Sequence, residues 1–228
     1  MNVAVIIPAF NEEDSIGKII ADIPLNIVNE IIVVNNNSTD NTVLVAEKAG
    51  AAVLDENIQG YGASCLKGIE YLKKKNPAVV VFLDGDYSDY PGEMNFLVDP
   101  ILKENYDFVL GSRITGNREQ GSMPIHSVLG NWISCFLIKL FWKFSYSDLG
   151  PFRANKFDKL LQLNMHDHWY GWTVEMQIKA IKQKLKIKEV PVSYRKRIGK
   201  SKVSGTIKGS LLAGIIIITT IFVQIFKD

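Results

Sequence analysis

The chain has 228 residues, of which 47% are apolar and 22% are charged. These fractions are near the averages of globular domains, so they exclude collagen-like, low-complexity and disordered classes. Two cysteines, Cys65 and Cys135, are too few for a disulfide framework, and the first nine residues lack the basic segment of a signal peptide. We therefore expect a reducing, cytoplasmic compartment.

The net charge of +2 conceals an asymmetry between the two halves of the chain. Residues 1–112 hold 7 Lys and Arg against 17 Asp and Glu, whereas residues 113–228 hold 19 against 7. An acidic half suits a metal ion, but an excess of acidic residues indicates no particular function by itself. A basic half suits phosphate groups, nucleic acid or an anionic membrane surface.

The first half alternates strand and helix patterns. Short apolar, β-branched runs predict strands at residues 3–7, 30–34, 51–54, 78–83 and 107–111. Helices are predicted between them, at about residues 12–23, 39–49 and 60–75. This alternation predicts an α/β fold with a mostly parallel sheet covered by helices on both faces. Ligands of such sheets bind beyond the carboxyl ends of the strands, so polar residues that follow a strand are the candidates for a site.

The second half predicts two apolar helices. Apolar residues recur at helical spacing across residues 125–144, as in a core helix or a helix lying on lipid. Residues 211–226 carry no charge but are fewer than the ~20 that a spanning helix needs, so a buried helix, an interfacial helix and a shallow insertion stay open. Residues 179–208 hold eleven Lys and Arg against the single acid Glu189. This pattern fits either an anionic cytoplasmic leaflet or a solvated basic face.

Two carboxylates follow the most apolar of the predicted strands. Asp84 and Asp86 stand one residue apart in the run "LDGD". Mg²⁺ and Mn²⁺ prefer such oxygen ligands and often share them with a diphosphate. A solvated turn is the alternative interpretation.

Two further polar clusters follow the first and second strands, "PAFNEE" at residues 8–13 and "NNNSTD" at residues 35–40. Each alone is explained by capping of the next helix. Because all three clusters follow strands of one predicted sheet, we expect them to face a common crevice.

The three clusters, in this order, resemble those of the family 2 glycosyltransferases, which have the GT-A fold. The later runs "GSR" (111–113), "DLGPFRA" (148–154), "YGWTVEMQIKA" (170–180) and "EVPVSYRKRIGKSKVSGT" (189–206) resemble the branch related to dolichyl-phosphate mannosyl- and glucosyltransferases. The resemblance covers nearly the whole chain. It implies a GT-A domain over residues 1–203, divided into a nucleotide-sugar-binding half (1–112) and an acceptor-binding half (113–203). Residues 204–228 would form an apolar, membrane-associated helix.

The resemblance also implies an inverting transfer from a nucleotide-sugar donor, with Mg²⁺ or Mn²⁺ as cofactor and a polyprenyl phosphate as acceptor. Asp84 and Asp86 would hold the metal and the diphosphate, and Arg113 would hold the acceptor phosphate. Asn35 and Asn36 stand where the family usually has two aspartates that read the base and the ribose. The nucleotide pocket would also be lined by Pro8, Ala9, Asn11 and Glu12.

A basic loop of the family closes over the donor diphosphate. Ser201 and Lys202 match its pattern, and Lys196 stands where the family has an arginine. Arg195 and Arg197 flank that position, so the pattern leaves open which of these three side chains contacts phosphate.

The chain departs from the family around the carboxylate pair. The family reads "DADLQHPPE" where this chain has "DGDYSDYPGE", so Ser88 replaces a glutamine that helps the metal, and Asp89 is the residue that could compensate. His126 is the basic residue left near the start of the following helix to bind an acceptor. A phosphate acceptor is already an anion and needs no strong base, whereas an alcohol acceptor needs one, with Asp89 or Glu175 as candidates.

Three functional hypotheses follow. The leading one is an inverting glycosyltransferase that acts on a lipid phosphate, bound peripherally or by shallow insertion at the cytoplasmic face of a membrane, with no nucleic-acid partner. The second keeps the donor but uses a soluble or other lipid alcohol as the acceptor. The third is a catalytically silent nucleotide-binding subunit.

Overall fold

The structure is a computed structural model that describes residues 2–199 and 207–227. Strands and helices alternate through the first half of the chain, as the sequence predicts for that half. The strands are β1 (Val3–Ala9), β2 (Glu30–Asn35), β3 (Ala52–Asp55), β4 (Val79–Phe82), β5 (Phe108–Ser112), β6 (Arg153–Lys156) and β7 (Ile187–Pro191). The helices are α1 (Ile16–Asp22), α2 (Thr42–Lys48), α3 (Tyr61–Leu72), α4 (Met94–Glu104), α5 (Ile125–Trp142), α6 (Phe157–Gln162), α7 (Trp172–Lys182) and α8 (Ile207–Phe226).

The strands form one sheet in the order β3-β2-β1-β4-β6-β5-β7. The β1–β2, β2–β3, β1–β4 and β5–β7 pairs are parallel, whereas β6 is antiparallel to β4 and β5. The prediction of a mostly parallel sheet is therefore confirmed. The antiparallel β6 was not predicted, because its sequence "RANK" carries two charges and an amide although its first three residues are buried.

Successive residues of β1 enter opposite cores, as the twofold period of a strand requires. Ala4 and Ile6 join a core with α3 and α7, whereas Val5 and Ile7 join a core with α1 and α4. Both faces of the sheet are thus covered by helices, which confirms the expected architecture. The first predicted helix is shorter than expected and begins at Ile16, because the residues before it form a turn at the site described below.

The two predicted apolar helices are α5 and α8, and they pack against each other. The inner face of α5 buries Asn131, Ser134, Cys135 and Ile138. The inner face of α8 buries Ile221 and Gln224, and the rings of Phe141 and Phe222 meet edge-on at 5.8 Å between centroids. Helix α8 begins before residue 211 and also packs on α7.

Candidate active site

The carboxyl ends of β1, β2 and β4 meet at a pocket of about 190 Å³. Each of the three polar clusters contributes to its wall, so the structure brings together what the sequence placed at a common crevice. The turn after β4 approaches the end of β1 closely, since a Cβ on Gly85 would lie 2.9 Å from the carbonyl oxygen of Pro8. The predicted residues that line the pocket are Pro8, Ala9, Glu12, Asn36, Asp84, Asp86 and Arg197.

Asp84 and Asp86 line this pocket, which we call the donor pocket after the role that the resemblance implies. Tyr61 lines the same pocket as Asp84, whose Oδ1 has no hydrogen-bond partner among the described residues. Burial, followed by the charge of Asp86, raises the pKa of Asp84 to about 7. The Asp84 carboxyl is thus partly protonated near neutral pH, and a cation that binds to it would displace the proton.

Ser88 and Asp89 have different roles in supporting this pair. The Ser88 backbone N–H donates to Asp86 Oδ1 at 2.9 Å, and the Ser88 hydroxyl donates to the same oxygen. Asp89 is buried, and neither of its carboxylate oxygens meets a donor in the described part of the chain. Burial and the charges of Asp84 and Asp86 raise the pKa of Asp89 well above its usual range. Asp89 lines neither of the two pockets described in this section.

Of the three basic residues left open by the sequence, Arg197 is the one that enters the pocket. Its Nη1 lies 3.2 Å from Asp86 Oδ2 and its Nη2 lies 3.5 Å from Glu12 Oε1. Arg195 instead packs on the rings of Tyr87 and Tyr90 and donates to the Tyr87 carbonyl at 2.7 Å. Lys196 is exposed and lines no described pocket. The predicted loop residues Ser201 and Lys202 lie outside the described residues.

The two asparagines after β2 hold loops together. The Asn36 amide donates to the carbonyls of Glu56 and Ile58 at 2.8 Å and accepts from the Gly60 N–H at 2.7 Å. Asn35 donates to Asp55 at 2.8 Å. Asn36 lines the donor pocket, whereas Asn35 does not.

Asn11 has a similar tying role. It sits in the left-handed region with φ 54°, and its Oδ1 accepts from the Thr39 N–H at 2.7 Å. Its backbone N–H donates to the Ser38 hydroxyl at 3.0 Å, which fixes the end of β1 against the loop after β2. Asn11 is absent from the donor-pocket lining, so its contribution to the pocket is to position the neighbouring residues.

A second pocket of about 380 Å³ adjoins the donor pocket. It shares Asp84, Asp86 and Arg197 with the donor pocket and continues between α5 and α8. Its far walls carry small side chains, among them Gly130 and Ser134 of α5 and Ala213 and Gly214 of α8. Its predicted members are Arg113 and His126. We call it the acceptor pocket, after the role that the resemblance implies for Arg113.

Arg113 is held rigidly at the wall of the acceptor pocket. Its Nε and Nη2 donate to the two oxygens of Asp148 at 2.8 Å, a bidentate geometry that fixes the guanidinium plane. Asp148 is fully buried and also accepts the Arg113 backbone N–H at 2.8 Å. The Tyr194 ring stacks on the same guanidinium with its centroid 5.1 Å away. A planar cation of this kind is suited to a phosphate.

Glu175 lies away from both pockets. Its carboxylate accepts backbone N–H groups from residues 166 and 167 and pairs with Lys179 at 2.7 Å. The segment that it holds delivers Trp169 and Tyr170 to the donor pocket. The alternative of a general base at Glu175 therefore loses its geometric basis.

Sequence reasoning missed several aromatic and amide residues of the pockets. Tyr61, Gln59 and Trp169 come from the start of α3 and from the segment before α7. The sequence does carry a sign of this contact in its two closely spaced glycines, Gly60 and Gly62. A Cβ atom on Gly60 would lie 2.1 Å from the carbonyl oxygen of His168, and one on Gly62 would lie 2.0 Å from that of Asp167. These two glycines let the start of α3 contact the segment before α7.

Within the described ranges, no group of three or more His, Cys, Asp and Glu side chains is arranged to hold a metal ion. The pair of Asp84 and Asp86 thus leaves coordination positions to other ligands. Such a pair suits a cation that keeps several positions for phosphate oxygens and water.

Comparison with known proteins agrees with this geometry. The model of the family "Glycosyl transferase family 2" matches residues 4–163. An uncharacterized glycosyltransferase of Mycobacterium tuberculosis is 33% identical over 214 residues, covering 92% of this chain and 94% of its own length. A dolichyl-phosphate hexose transferase of Haloferax volcanii is 30% identical, covering 88% of this chain and 86% of its own length. The chain belongs to glycosyltransferase family 2, and it is a glycosyltransferase.

The fold is also shown by a solved structure. Glucosyl-3-phosphoglycerate synthase of Mycobacterium tuberculosis, crystallised with Mn²⁺, UDP and phosphoglyceric acid, superposes with a TM-score of 0.79 at 20% identity, covering 100% of this chain and 79% of that protein. The same enzyme has been crystallised with Mg²⁺ and UDP. At this identity the likeness shows the GT-A fold that the sequence predicts.

Proposed function

We propose that this enzyme transfers a sugar, with inversion, from a nucleoside-diphosphate donor to a polyprenyl phosphate at a membrane surface. The observation that carries the proposal is the acceptor pocket, which connects Asp84, Asp86 and Arg113 to the cleft between α5 and α8. The Haloferax volcanii relative is named for transfer to dolichyl phosphate, which favours the same class of acceptor.

The donor pocket fits a nucleoside diphosphate with a divalent cation. Asp84 and Asp86 would hold Mg²⁺ or Mn²⁺, and the unpartnered Oδ1 of Asp84 is an oxygen suited to that ion. When bound, the cation neutralises charge that develops on the leaving diphosphate. We assign Arg197 to the same diphosphate, and Glu12 and Asn36 to the shape of the pocket. The assignment of Ser201 and Lys202 to the donor stays a prediction.

The acceptor pocket needs no general base under this proposal. The acceptor phosphate carries its own negative charge, and Arg113 offers it a guanidinium whose orientation Asp148 fixes. The buried Asp148 and the stacked Tyr194 exclude other orientations of that side chain. His126 lines the entrance side of the pocket at the start of α5.

The outer faces of α5 and α8 form an exposed apolar surface. Trp132 and Phe136 stack on each other on α5 and are 63% and 51% exposed. The other exposed members are Ile125, Leu129 and Leu140 of α5 and Leu212, Ile215, Phe222 and Phe226 of α8. Large exposed apolar patches mark contact with lipid or a protein partner. We assign this surface to lipid.

The proposed binding mode is interfacial. Helix α5 is long and apolar enough to cross a membrane by length and composition alone. Its polar inner face packs on the domain, however, with Asn131 donating to the Ser147 carbonyl at 3.3 Å. A helix tied along one face and apolar along the other lies in the membrane plane. We therefore place the enzyme peripherally at the cytoplasmic face, with residues 1–112 as the donor half, 113–203 as the acceptor half and α8, within residues 204–228, as the lipid-contacting helix.

The test is transfer from a panel of UDP-, GDP- and dTDP-sugars with Mn²⁺ to three acceptors. These are a polyprenyl phosphate in liposomes, 3-phosphoglycerate and a soluble sugar alcohol. We expect labelled sugar to enter the organic phase when polyprenyl phosphate is the acceptor, and we expect no transfer to either soluble acceptor. Transfer confined to a soluble acceptor contradicts the lipid assignment. Absence of both transfer and donor hydrolysis across the panel supports the silent nucleotide-binding alternative.

A further inference from the structure

Arg197 makes long and incomplete contacts at the junction of the two pockets. Its ion pairs with Asp86 and Glu12 measure 3.2 and 3.5 Å, longer than the 2.7–2.9 Å typical of charge-assisted hydrogen bonds. Its Nε is buried and has no hydrogen-bond partner among the described residues. The guanidinium is therefore held mainly by charge, with hydrogen-bonding capacity left over.

A carboxylate that lines the same pocket as Arg197, that of Asp84, also has an oxygen without a partner. Its Oδ1 meets no donor within residues 2–199 and 207–227. Buried polar atoms without partners are costly, and charged ones more so. The pocket thus holds a guanidinium and a carboxylate oxygen that each have hydrogen-bonding capacity not used by the described residues.

We infer that Arg197 stands in for the divalent cation at Asp86 before the donor binds, and that it turns to the donor diphosphate when the cation arrives. This inference rests on the proposed function. A cation paired with a diphosphate satisfies both sets of groups at once, since the cation meets the carboxylates and the diphosphate meets the guanidinium. A cation alone displaces Arg197 from Asp86 and leaves it the longer ion pair with Glu12.

The exchange needs only a side-chain movement. The backbone of the Arg197 segment is anchored to the loop after β4, with the Arg195 N–H donating to the Ser88 carbonyl and the Ile198 N–H to the Asp86 carbonyl, both at 2.9 Å. Tyr194 and Asp89 form a bridge in the same place. The segment therefore keeps its position while the guanidinium rotates between two neighbouring anions.

The consequence is a coupling between cation and nucleotide that passes through Arg197. Cation alone competes with the guanidinium and binds weakly, whereas cation with nucleoside diphosphate does not compete. Such coupling is reciprocal and typically amounts to about 5–150-fold in affinity. Removal of the guanidinium should have opposite effects on the two measurements, with cation alone binding more tightly and the cation–nucleotide pair more weakly.

The test is calorimetric titration of Mn²⁺ into the full-length protein, with and without UDP, GDP or dTDP. Arg197→Gln is compared with wild type and with Lys196→Gln, which removes the same charge from the adjacent, exposed position. We expect Arg197→Gln to bind Mn²⁺ alone about fivefold more tightly and the nucleotide pair about tenfold more weakly. Lys196→Gln should leave both affinities within about twofold of wild type. Thermal unfolding verifies that each variant is folded.

Two results overturn the inference. One is an unchanged or lower affinity of Arg197→Gln for Mn²⁺ alone. The other is an equal gain in Lys196→Gln, which would reduce the effect to diffuse charge. Wild-type protein that binds none of the three nucleotides with Mn²⁺ contradicts the proposed function itself, and is thus distinguishable from either result.

Discussion

The carboxylate of Glu175 accepts a 2.8 Å hydrogen bond from the backbone N–H of Asp167. Asp167 in turn accepts the backbone N–H of Trp169 at 2.7 Å. On the other side of the same segment, the Ala63 N–H donates to the His168 carbonyl at 3.0 Å. Glu175 therefore acts through the shape of the segment that carries Trp169 and Tyr170.

Glu175→Gln should raise the KM for the donor several-fold and leave kcat nearly unchanged. The amide keeps one acceptor oxygen, but its N–H₂ group faces the backbone N–H donors, so we expect a stability loss of about 1–3 kcal/mol. Steady-state kinetics and thermal unfolding measure the two effects. Glu70→Gln, at an exposed acid paired with Lys73, is the control. A fall in kcat at constant KM would restore the general-base alternative.

Asp86→Asn should abolish most transfer while preserving the fold. The variant removes a charge that faces both the cation and Arg197, and the loss of one well-placed electrostatic group costs about 10²–10³-fold in kcat. Transfer rate and Mn²⁺ affinity are measured together, with Asp99→Asn on the exposed face of α4 as the control. Near-normal turnover, or full wild-type activity in excess EDTA, contradicts the metal role.

Asn36→Asp should destabilise the loop between β3 and α3. The Asn36 amide donates to two carbonyls, and a carboxylate cannot donate to either. We expect a loss of about 1–3 kcal/mol in the free energy of unfolding, with a weaker affinity for every nucleotide. Denaturant unfolding and nucleotide titration test this.

Asn35→Asp makes a separate prediction. It places a carboxylate beside Asp55, where Asn35 Nδ2 now donates at 2.8 Å. The sequence predicts that this variant shifts donor preference more than maximal rate. Because of the contact with Asp55, we also expect Asn35→Asp to lower the stability of the fold, through repulsion between two carboxylates that added salt weakens. Unchanged relative affinities for UDP-, GDP- and dTDP-sugars would show that position 35 does not read the donor.

Affinity for Mn²⁺ should rise with pH up to about 7 and then level off. Burial and the Asp86 charge raise the pKa of Asp84 from 3.8 to about 7, so below that pH the cation must displace a proton. The metal-free folded protein also holds this proton where the unfolded chain has lost it, so its stability declines as pH rises from about 4 to about 7. Calorimetry at pH 6, 7 and 8 measures the first effect. Asp84→Asn removes both the titrating group and one metal ligand, so it should weaken the affinity for Mn²⁺ and remove most of its dependence on pH.

Phe136→Glu should release the protein from anionic liposomes. Phe136 lies on the outer face of α5 and is 51% exposed, so a charge there opposes insertion into lipid. Phe96→Glu, on α4 at 55% exposure, is a matched control outside the surface. High salt should release only part of the wild type, because it screens the basic residues but not apolar insertion. Equal liposome binding by both variants contradicts the proposed surface.

The features that the sequence predicted correctly are those that depend on a single segment of the chain. The alternating strands and the polar residues after β1, β2 and β4 follow from short-range sequence rules, and they predict the donor pocket. The features that the sequence did not predict depend on contacts between residues that are far apart in the chain. Strand β6 is buried by its neighbours despite its polar sequence, and the choice of Arg197 over Arg195 depends on which side chain the Tyr87 and Tyr90 rings hold.

Glu175 illustrates the same limit. An acid four residues before Lys179 on a helix is an ordinary surface pattern. Its burial and its backbone partners appear only when the 166–170 segment folds back on α7. Sequence spacing alone gave no reason to choose between a base and a structural carboxylate.

The antiparallel placement of β6 has a consequence for how the two pockets are connected to the sheet. Leu110 of β5 pairs directly with Arg153 of β6, so the stretch between them leaves the sheet and returns at neighbouring points. That stretch contains Arg113, α5 and Asp148, while β1 to β4 stay outside it. Under the proposed function, substitutions in this excursion would therefore reshape the wall of the acceptor pocket that Arg113 and α5 form, while β1, β2 and β4, whose carboxyl ends meet at the donor pocket, keep their places in the sheet.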